Sequence, residues 1–198
     1  MPRVLVTGGA GFIGSHLCEA CLRAGDEVTA ADDLSTGAES NLPRGVRLVR
    51  GDLRAPGFGQ SALAEAGPDV VYHLAAQSSV VRSMADASFD WEVNVGGTLR
   101  LLEACRAAKK PPALVYASTG GASYGDPERL PVTEEHPTEC RSPYGASKHV
   151  AEKYVSLYAR LFGLRTVSLR FANIYGPRQR GDLEAGVVSI FAQRLAEG

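Results

Sequence analysis

Val4-Leu5-Val6-Thr7-Gly8-Gly9-Ala10-Gly11-Phe12-Ile13-Gly14-Ser15-His16 is the stretch whose reading decides the fold. The apolar run is too short for anything but a strand. The glycine cluster is a tight turn, and Ile13, Leu17, Cys21 and Ala24 then recur at helical spacing. Gly9, Gly11 and Gly14 satisfy G-x-G-x-x-G, while Gly8, Gly11 and Gly14 satisfy the related spacing with one more residue. Such glycines let backbone turn sharply beside a pyrophosphate, and the helix that follows points free N–H groups and the positive end of its dipole at the anion. Gly25 suits the end of that helix. Glu27 to Ala31 reads as a second strand ending at Asp32, about 20 residues past the glycines, where a carboxylate binds adenosine ribose hydroxyls. A carboxylate there repels a 2′-phosphate, so NAD is expected rather than NADP; Asp33 is the other candidate for the ribose.

Outward from this unit the pattern repeats. Strands are expected at Val46–Arg50, Asp69–Leu74, Ala113–Ala117 and Arg165–Phe171. Helices are expected at Ser61–Ala66, Phe89–Ala108, Ser142–Gly163 (Ser142 as N-cap, Pro143 in the first position, Gly163 at the close) and Val187–Ala196. Alternating strands and helices give an α/β fold, a Rossmann-type doubly wound parallel sheet. Asp52, at a strand end, either hydrogen-bonds adenine or caps the next segment. His73 stands alone and reads as a satisfied core histidine. The long Gly- and Pro-rich loop 118–142 leaves the end of the fifth strand, a position that favours a functional role.

Composition bounds the partners. A chain of 198 residues with 44% apolar residues and a net charge of −1 gives no reason to expect nucleic acid or a membrane surface. The N-terminus enters a strand at once, with no signal-like segment. Cys18 and Cys21 form C-x-x-C in mid-helix, which reads as two small residues on one face rather than a metal or redox site. No metal is expected, and the setting reads as a reducing cytoplasm. The two longest helices each carry two apolar faces: Trp91, Val95, Leu99 and Leu102 with Val93, Leu101, Ala104 and Ala108, and Val155 and Phe162 with Val150, Tyr154, Leu157 and Leu161. One face suits the sheet; the other suits a second copy, giving a homodimer with four helices across a two-fold axis.

A second constellation is Tyr144 and Lys148, four apart on one helix face. A free phenol, with a pKa of ~10, is a poor base at neutral pH, and an ammonium one turn away favours the phenolate. Ser118 or Thr119, at the end of the fifth strand, could hold a substrate oxygen beside that phenol. The arrangement is one for general-base catalysis coupled to hydride transfer.

Together these stretches resemble the extended short-chain dehydrogenase/reductase, NAD-dependent epimerase/dehydratase family, most of all its UDP-glucose 4-epimerase group. The matching segments are 7–16, 33–37 (Asp-Leu-Ser-Thr-Gly), 51–54 (Gly-Asp-Leu-Arg), 73–77 (His-Leu-Ala-Ala-Gln), 93–98 (Val-Asn-Val-Gly-Gly-Thr), 144–148 (Tyr-Gly-Ala-Ser-Lys) and 173–179 (Asn-Ile-Tyr-Gly-Pro-Arg-Gln). The resemblance implies an NAD-binding domain over 1–172 and the start of a substrate-binding region over 173–198. It implies Gly8, Gly11, Phe12 and Ile13 on the pyrophosphate, Asp32 or Asp33 on the adenosine ribose, Asp52 and Leu53 on adenine, and Ser35 and Gly37 among the cofactor-binding residues. Leu74, Ala75, Ala76, Gln77, Asn94, Ser118, Phe171, Tyr144 and Lys148 would line the rest of the cofactor, and Ser79, Thr119, Gly120, Tyr144 and Asn173 the sugar nucleotide.

By the same resemblance Tyr144 takes the proton of a UDP-hexose 4-hydroxyl as NAD takes the hydride, and the 4-keto sugar turns over before hydride returns. Two departures stand out. The usual Ser/Thr slot falls on Gly120, so Ser118 or Thr119 must serve. Relatives also continue beyond residue 198, from which NAD binding with weak or absent turnover is expected of this length. UDP-glucuronate and UDP-N-acetylglucosamine epimerases are the neighbouring alternatives, and an NAD-binding module without turnover is the alternative of another class. A 4,6-dehydratase needs an acidic pair where Gly120 and Gly121 stand.

Overall fold

A computed structural model describes residues 1–180 and 187–197. Six parallel strands, β1 (Arg3–Thr7), β2 (Glu27–Asp32), β3 (Arg47–Arg50), β4 (Val70–His73), β5 (Ala113–Thr119) and β6 (Thr166–Phe171), form one sheet in the order β3-β2-β1-β4-β5-β6. The chain runs outward from β1 to β3, then returns to lay β4 on the other side of β1. The crevice above β1 and β4 is therefore the switch point at which ligands gather in open α/β sheets.

β1 is buried from Val4 to Thr7 because both sheet faces are covered at the centre. Helix α1 (Phe12–Arg23) packs Cys18 and Cys21 against Val4, Val6, Val28 and Ala30 on one face. The larger core on the other face joins Leu5, Val71, Leu114 and Tyr116 to α2 (Phe58–Ala66) and to the longer helices that follow. β6 is an edge strand, with Val167 and Leu169 exposed on one face.

The structure corrects the expected elements in three places. α2 begins at Phe58, three residues before the expected start. A helix the sequence reading lacks, α3 (Val80–Ala85), follows β4, capped by Ser79, whose hydroxyl accepts from Arg82 N. The expected single helix over Phe89–Ala108 is α4 (Ala87–Trp91), a π-turn over Glu92–Gly96 and α5 (Gly97–Ala107). The wider turn shifts the helical phase, so Trp91 leaves the stripe of Val95 and Leu102 and is half exposed.

Helix α6 (Pro143–Phe162) starts as the sequence demands. The Ser142 hydroxyl accepts from Gly145 N, Pro143 sits in the first turn and Gly163 closes the helix in the left-handed conformation. Its inner face buries Ser147, Lys148, Ala151, Glu152, Val155 and Tyr158, whereas Leu161 and Phe162 are exposed. α7 (Val187–Glu197) closes the described chain. Among the described residues no helix is long and apolar enough to cross a membrane.

Candidate active site

The glycine turn is shaped by steric necessity. Gly8 adopts φ +70°, and a Cβ there would lie 2.7 Å from Ala75 N; a Cβ on Gly14 would lie 2.1 Å from the Gly8 carbonyl oxygen. Gly9 instead packs toward Ala30 of β2. Gly8, Gly11 and Gly14 therefore border the cleft, which decides between the two spacings the sequence allowed. Gly11 begins α1 with no side-chain cap, and the first turn of α1 holds no acidic residue. Its N–H groups and dipole are left for an anion in the cleft.

At the end of β2, Asp32 accepts from Ala10 N at 2.9 Å and Leu34 N at 2.8 Å, one bond to each oxygen, which leaves lone pairs facing the cleft. Burial pushes its carboxyl upward, and the two backbone bonds pull it back. Asp33 also lines the cleft, but its Oδ1 accepts from Ser35 N and Oγ. Asp52 caps the segment that follows it and also borders the cleft. Its oxygens accept from the backbone and guanidinium of Arg54, which holds the carboxyl below its ordinary value.

One continuous cleft of about 1250 Å³ runs from this turn to the start of α6. It brings together Gly8, Gly11, Phe12, Ile13, Asp32, Asp33, Ser35, Asp52, Leu53, Leu74, Ala75, Ala76, Gln77, Ser79, Ser118, Thr119, Tyr144, Lys148, Phe171 and Asn173. Three expected residues do not line it. Gly37 is pressed against the Ala10 backbone, where a Cβ would come within 2.8 Å. Gly120 is turned toward Phe171, to whose carbonyl its N–H donates. Asn94 is fully buried in the π-turn, where its amide joins Gln77, Asp90 and Ser147.

The other end of the cleft is set by α6 and β5. Tyr144 and Lys148 share one face of α6, and Lys148 Nζ lies 4.4 Å from the centre of the Tyr116 ring. Burial pushes the Tyr144 phenol up, and hydrogen bonding from Thr119 opposes that rise. Burial pushes Lys148 down to about 7, against the pull of Asp90 and Glu152. The sequence argument weighed only the attraction between ammonium and phenolate; in the folded chain desolvation of both groups is the larger effect.

The two candidate hydroxyls are placed differently. Ser118 is buried and donates to Glu152 Oε2 at 2.7 Å, and Arg170 holds the same carboxylate at 2.7 Å. Thr119 faces Tyr144. His73 is a satisfied core group. Thr98 donates to the Asn94 carbonyl, so its oxygen accepts from His73 Nε2 at 2.9 Å, and His73 Nδ1 accepts from Thr7 Oγ1 at 2.7 Å. Burial holds His73 down at about 3.

Sequence reasoning missed a strap across the cleft. Arg178 lines the cleft and reaches back to α1, donating to Glu19 Oε1 at 2.9 Å and to His16 Nδ1 at 2.6 Å; His16 Nε2 donates to the Pro177 carbonyl. The only local signal was Arg178 within the 173–179 segment, which says nothing of partners about 160 residues away.

The geometry has a counterpart among known proteins. Residues 4–198 match the profile of the NAD dependent epimerase/dehydratase family. The chain belongs to that family. It is 44% identical over 201 residues to a UDP-glucose 4-epimerase of Mycolicibacterium smegmatis, covering 99% of this chain and 64% of the relative. Among solved structures it resembles the UDP-glucose 4-epimerase of Thermus thermophilus in complex with NAD, with a TM-score of 0.94 and 51% identity, covering 99% of this chain and 63% of the other. The Thermotoga maritima UDP-glucose 4-epimerase with UDP-glucose also gives a TM-score of 0.94, at 39% identity, with 98% and 63% covered. The chain thus spans a little under two thirds of the length of these family members.

Proposed function

We propose that the protein binds NAD and, as a member of this family, belongs to an enzyme that inverts C4 of a UDP-hexose such as UDP-glucose or UDP-galactose. The observation that carries the reading is the single cleft: the glycine turn and Asp32 stand at one end, Tyr144, Lys148 and Thr119 at the other.

The site fits the dinucleotide on its own evidence. Gly8 packs backbone against backbone at Ala75 and borders the cleft without a side chain, the start of α1 is uncapped, and Asp32 keeps free lone pairs. Gly8, Gly11, Phe12 and Ile13 would hold the pyrophosphate, Asp32 the adenosine ribose, Leu53 the adenine and Lys148 the nicotinamide ribose. When bound, NAD supplies a reversible two-electron acceptor for C4 of the sugar.

Tyr144 then takes the proton of the 4-hydroxyl and returns it once the sugar has turned its other face, so no net oxidation results. Thr119 holds the reacting oxygen, and the Lys148 ammonium favours the phenolate. Asn173, Ser79 and the backbone near Gly121 border the space for the sugar nucleotide.

A homodimer in the cytoplasm completes the reading. Its support is the adjoining uncovered faces of the two long helical segments. Val150, Tyr154 and Leu157 form a shallow surface groove on α6, with Leu161 and Trp91 exposed. Light scattering in dilute solution tests this part; a monomer rejects it. The function is tested by adding UDP-glucose or UDP-galactose to the NAD-loaded protein and following reduced-nicotinamide absorbance. A transient rise is expected. A protein that binds NAD but gives no signal with any UDP-hexose contradicts the assignment.

A further inference from the structure

Asp90 and Lys148, groups of opposite charge, are buried at the tyrosine end of the cleft, and among the described residues neither stands in an ion pair. Asp90 on α4 is 1% exposed and Lys148 on α6 is 4% exposed. Among the described residues no side chain hydrogen-bonds Lys148 Nζ, and no cation pairs with Asp90.

The Asp90 oxygens are committed as acceptors. Gln77 Nε2 donates to Oδ1 at 2.7 Å, Asn94 Nδ2 to the same oxygen at 3.2 Å, and Ser147 Oγ to Oδ2. Backbone fixes both amides: Ser79 N donates to Gln77 Oε1, and Gln77 N to Asn94 Oδ1. Neither amide can turn, so Oδ1 accepts from two donors, while Oδ2 meets the Ser147 hydroxyl. Three neutral groups therefore surround Asp90, a setting that solvates a carboxylate without cancelling its charge. The remaining groups facing Lys148 are Tyr116 from β5, His73 from β4, and Tyr144 and Glu152 from α6; the Glu152 charge is matched by Arg170.

We propose that Asp90 is a positioning residue of the active site. Its buried carboxylate is the counter-charge that keeps Lys148 an ammonium, and through Ser147 it fixes the turn of α6 that carries both Tyr144 and Lys148. This rests on the role of Lys148 given above and deepens it, since a lysine buried to this extent loses its proton unless an opposite charge is buried with it. Asp90 has no role in the sequence reading because its partners lie at positions 77, 94 and 147.

The test is the titration of Lys148, read from its side-chain ¹³C resonance in the full chain without NAD or sugar. In Asp90→Asn the amide oxygen still serves Gln77 and Asn94. Its NH₂ can donate to Ser147, whose proton turns to the Tyr144 carbonyl 3.0 Å away. Charge is removed and the hydrogen bonds are kept. The Lys148 midpoint should fall by about one unit, tenfold in proton affinity. In Ser147→Ala the carboxylate stays, and the midpoint should move by less than about 0.3 unit.

An unmoved midpoint in Asp90→Asn, or an equal shift in Ser147→Ala, would overturn the proposal. Should Asp90→Asn not fold, Asp90→Ser, which also removes the charge and leaves room for water between the same donors, is read in its place; an unmoved Lys148 midpoint there overturns the proposal equally. A chain that keeps this coupling but takes up no NAD sinks the proposed function and leaves the charge pair standing. A chain that binds NAD without the coupling sinks the pair alone.

Discussion

At the glycine-turn end the cleft is walled by backbone and small residues: Gly8 and Gly14 in steric contact, the open N-terminus of α1, and one carboxylate tied to two backbone N–H groups. At the tyrosine end it is walled by the polar side chains Ser118, Thr119, Tyr144 and Lys148 of β5 and α6, backed by buried polar groups of β4 and α4. The first end tolerates almost no added volume, because it works by close approach of backbone. The second tolerates little change in charge, because buried ions and hydrogen bonds must balance. The two ends should therefore fail in different ways, by loss of cofactor at one and by loss of chemistry at the other.

The harshest test of this contrast is Gly14→Ala. Its methyl would meet the Gly8 carbonyl at 2.1 Å, where neither backbone segment can yield without moving the turn. We expect about 3 kcal/mol or more of destabilisation and no measurable NAD uptake, checked by thermal melting and by titration with NAD.

Tyr144→Phe should do the opposite. It should fold and bind NAD as the parent does, yet slow the reduction of bound NAD by a UDP-hexose at least ~100-fold, because the proton has no acceptor. If this variant lost NAD instead, the division between the two ends would collapse.

A finer test separates neighbours. Thr119→Ala should slow the same reaction by roughly tenfold or more, while Ser118→Ala should leave it within about threefold and cost about 1 kcal/mol of stability, since the Ser118 hydroxyl is given to the Glu152–Arg170 pair. Equal rate effects would put the hydroxyl assignment in doubt.

The gentlest effect is that of pH on stability. The folded pKa of His73 is depressed to about 3 from 6.5, so between these values the unfolded chain binds more protons and stability falls as pH drops through that window. Lys148 has the same sign, depressed to about 7 from 10.5, so its penalty is full below 7 and is relieved as pH rises toward 10.5. His73→Gln, which can keep both hydrogen bonds, should flatten the acid side of the stability profile measured by denaturant titration. An unchanged slope would place the acid lability elsewhere.

These differences also explain what could be read from the chain before it was folded. The turn from Val4 to His16, the strand ending at Asp32 and the cap at Ser142-Pro143 are local patterns whose partners lie within a few residues, or one strand away, so spacing alone carries them. Tyr144 and Lys148 were legible for the same reason, one helical turn apart. That Glu152, 34 residues on, engages the Ser118 hydroxyl was not legible. The π-turn was hidden because Gly96-Gly97 weakens a helix without saying which hydrogen bonds replace the lost ones. α3 was hidden too: its six residues are too few for a periodic signal. Arg178 and Asp90 depend on partners that only the folded sheet brings near.

One measurement bears on all of this most directly: calorimetric titration of the purified, folded chain with NAD, with the Tyr144 ring resonances followed in the same samples. Saturation at one NAD per chain, with the ring resonances shifting as the sites fill, is the predicted result. A folded chain that takes up no NAD, or one that binds it while the Tyr144 resonances stay where they were, would contradict the account.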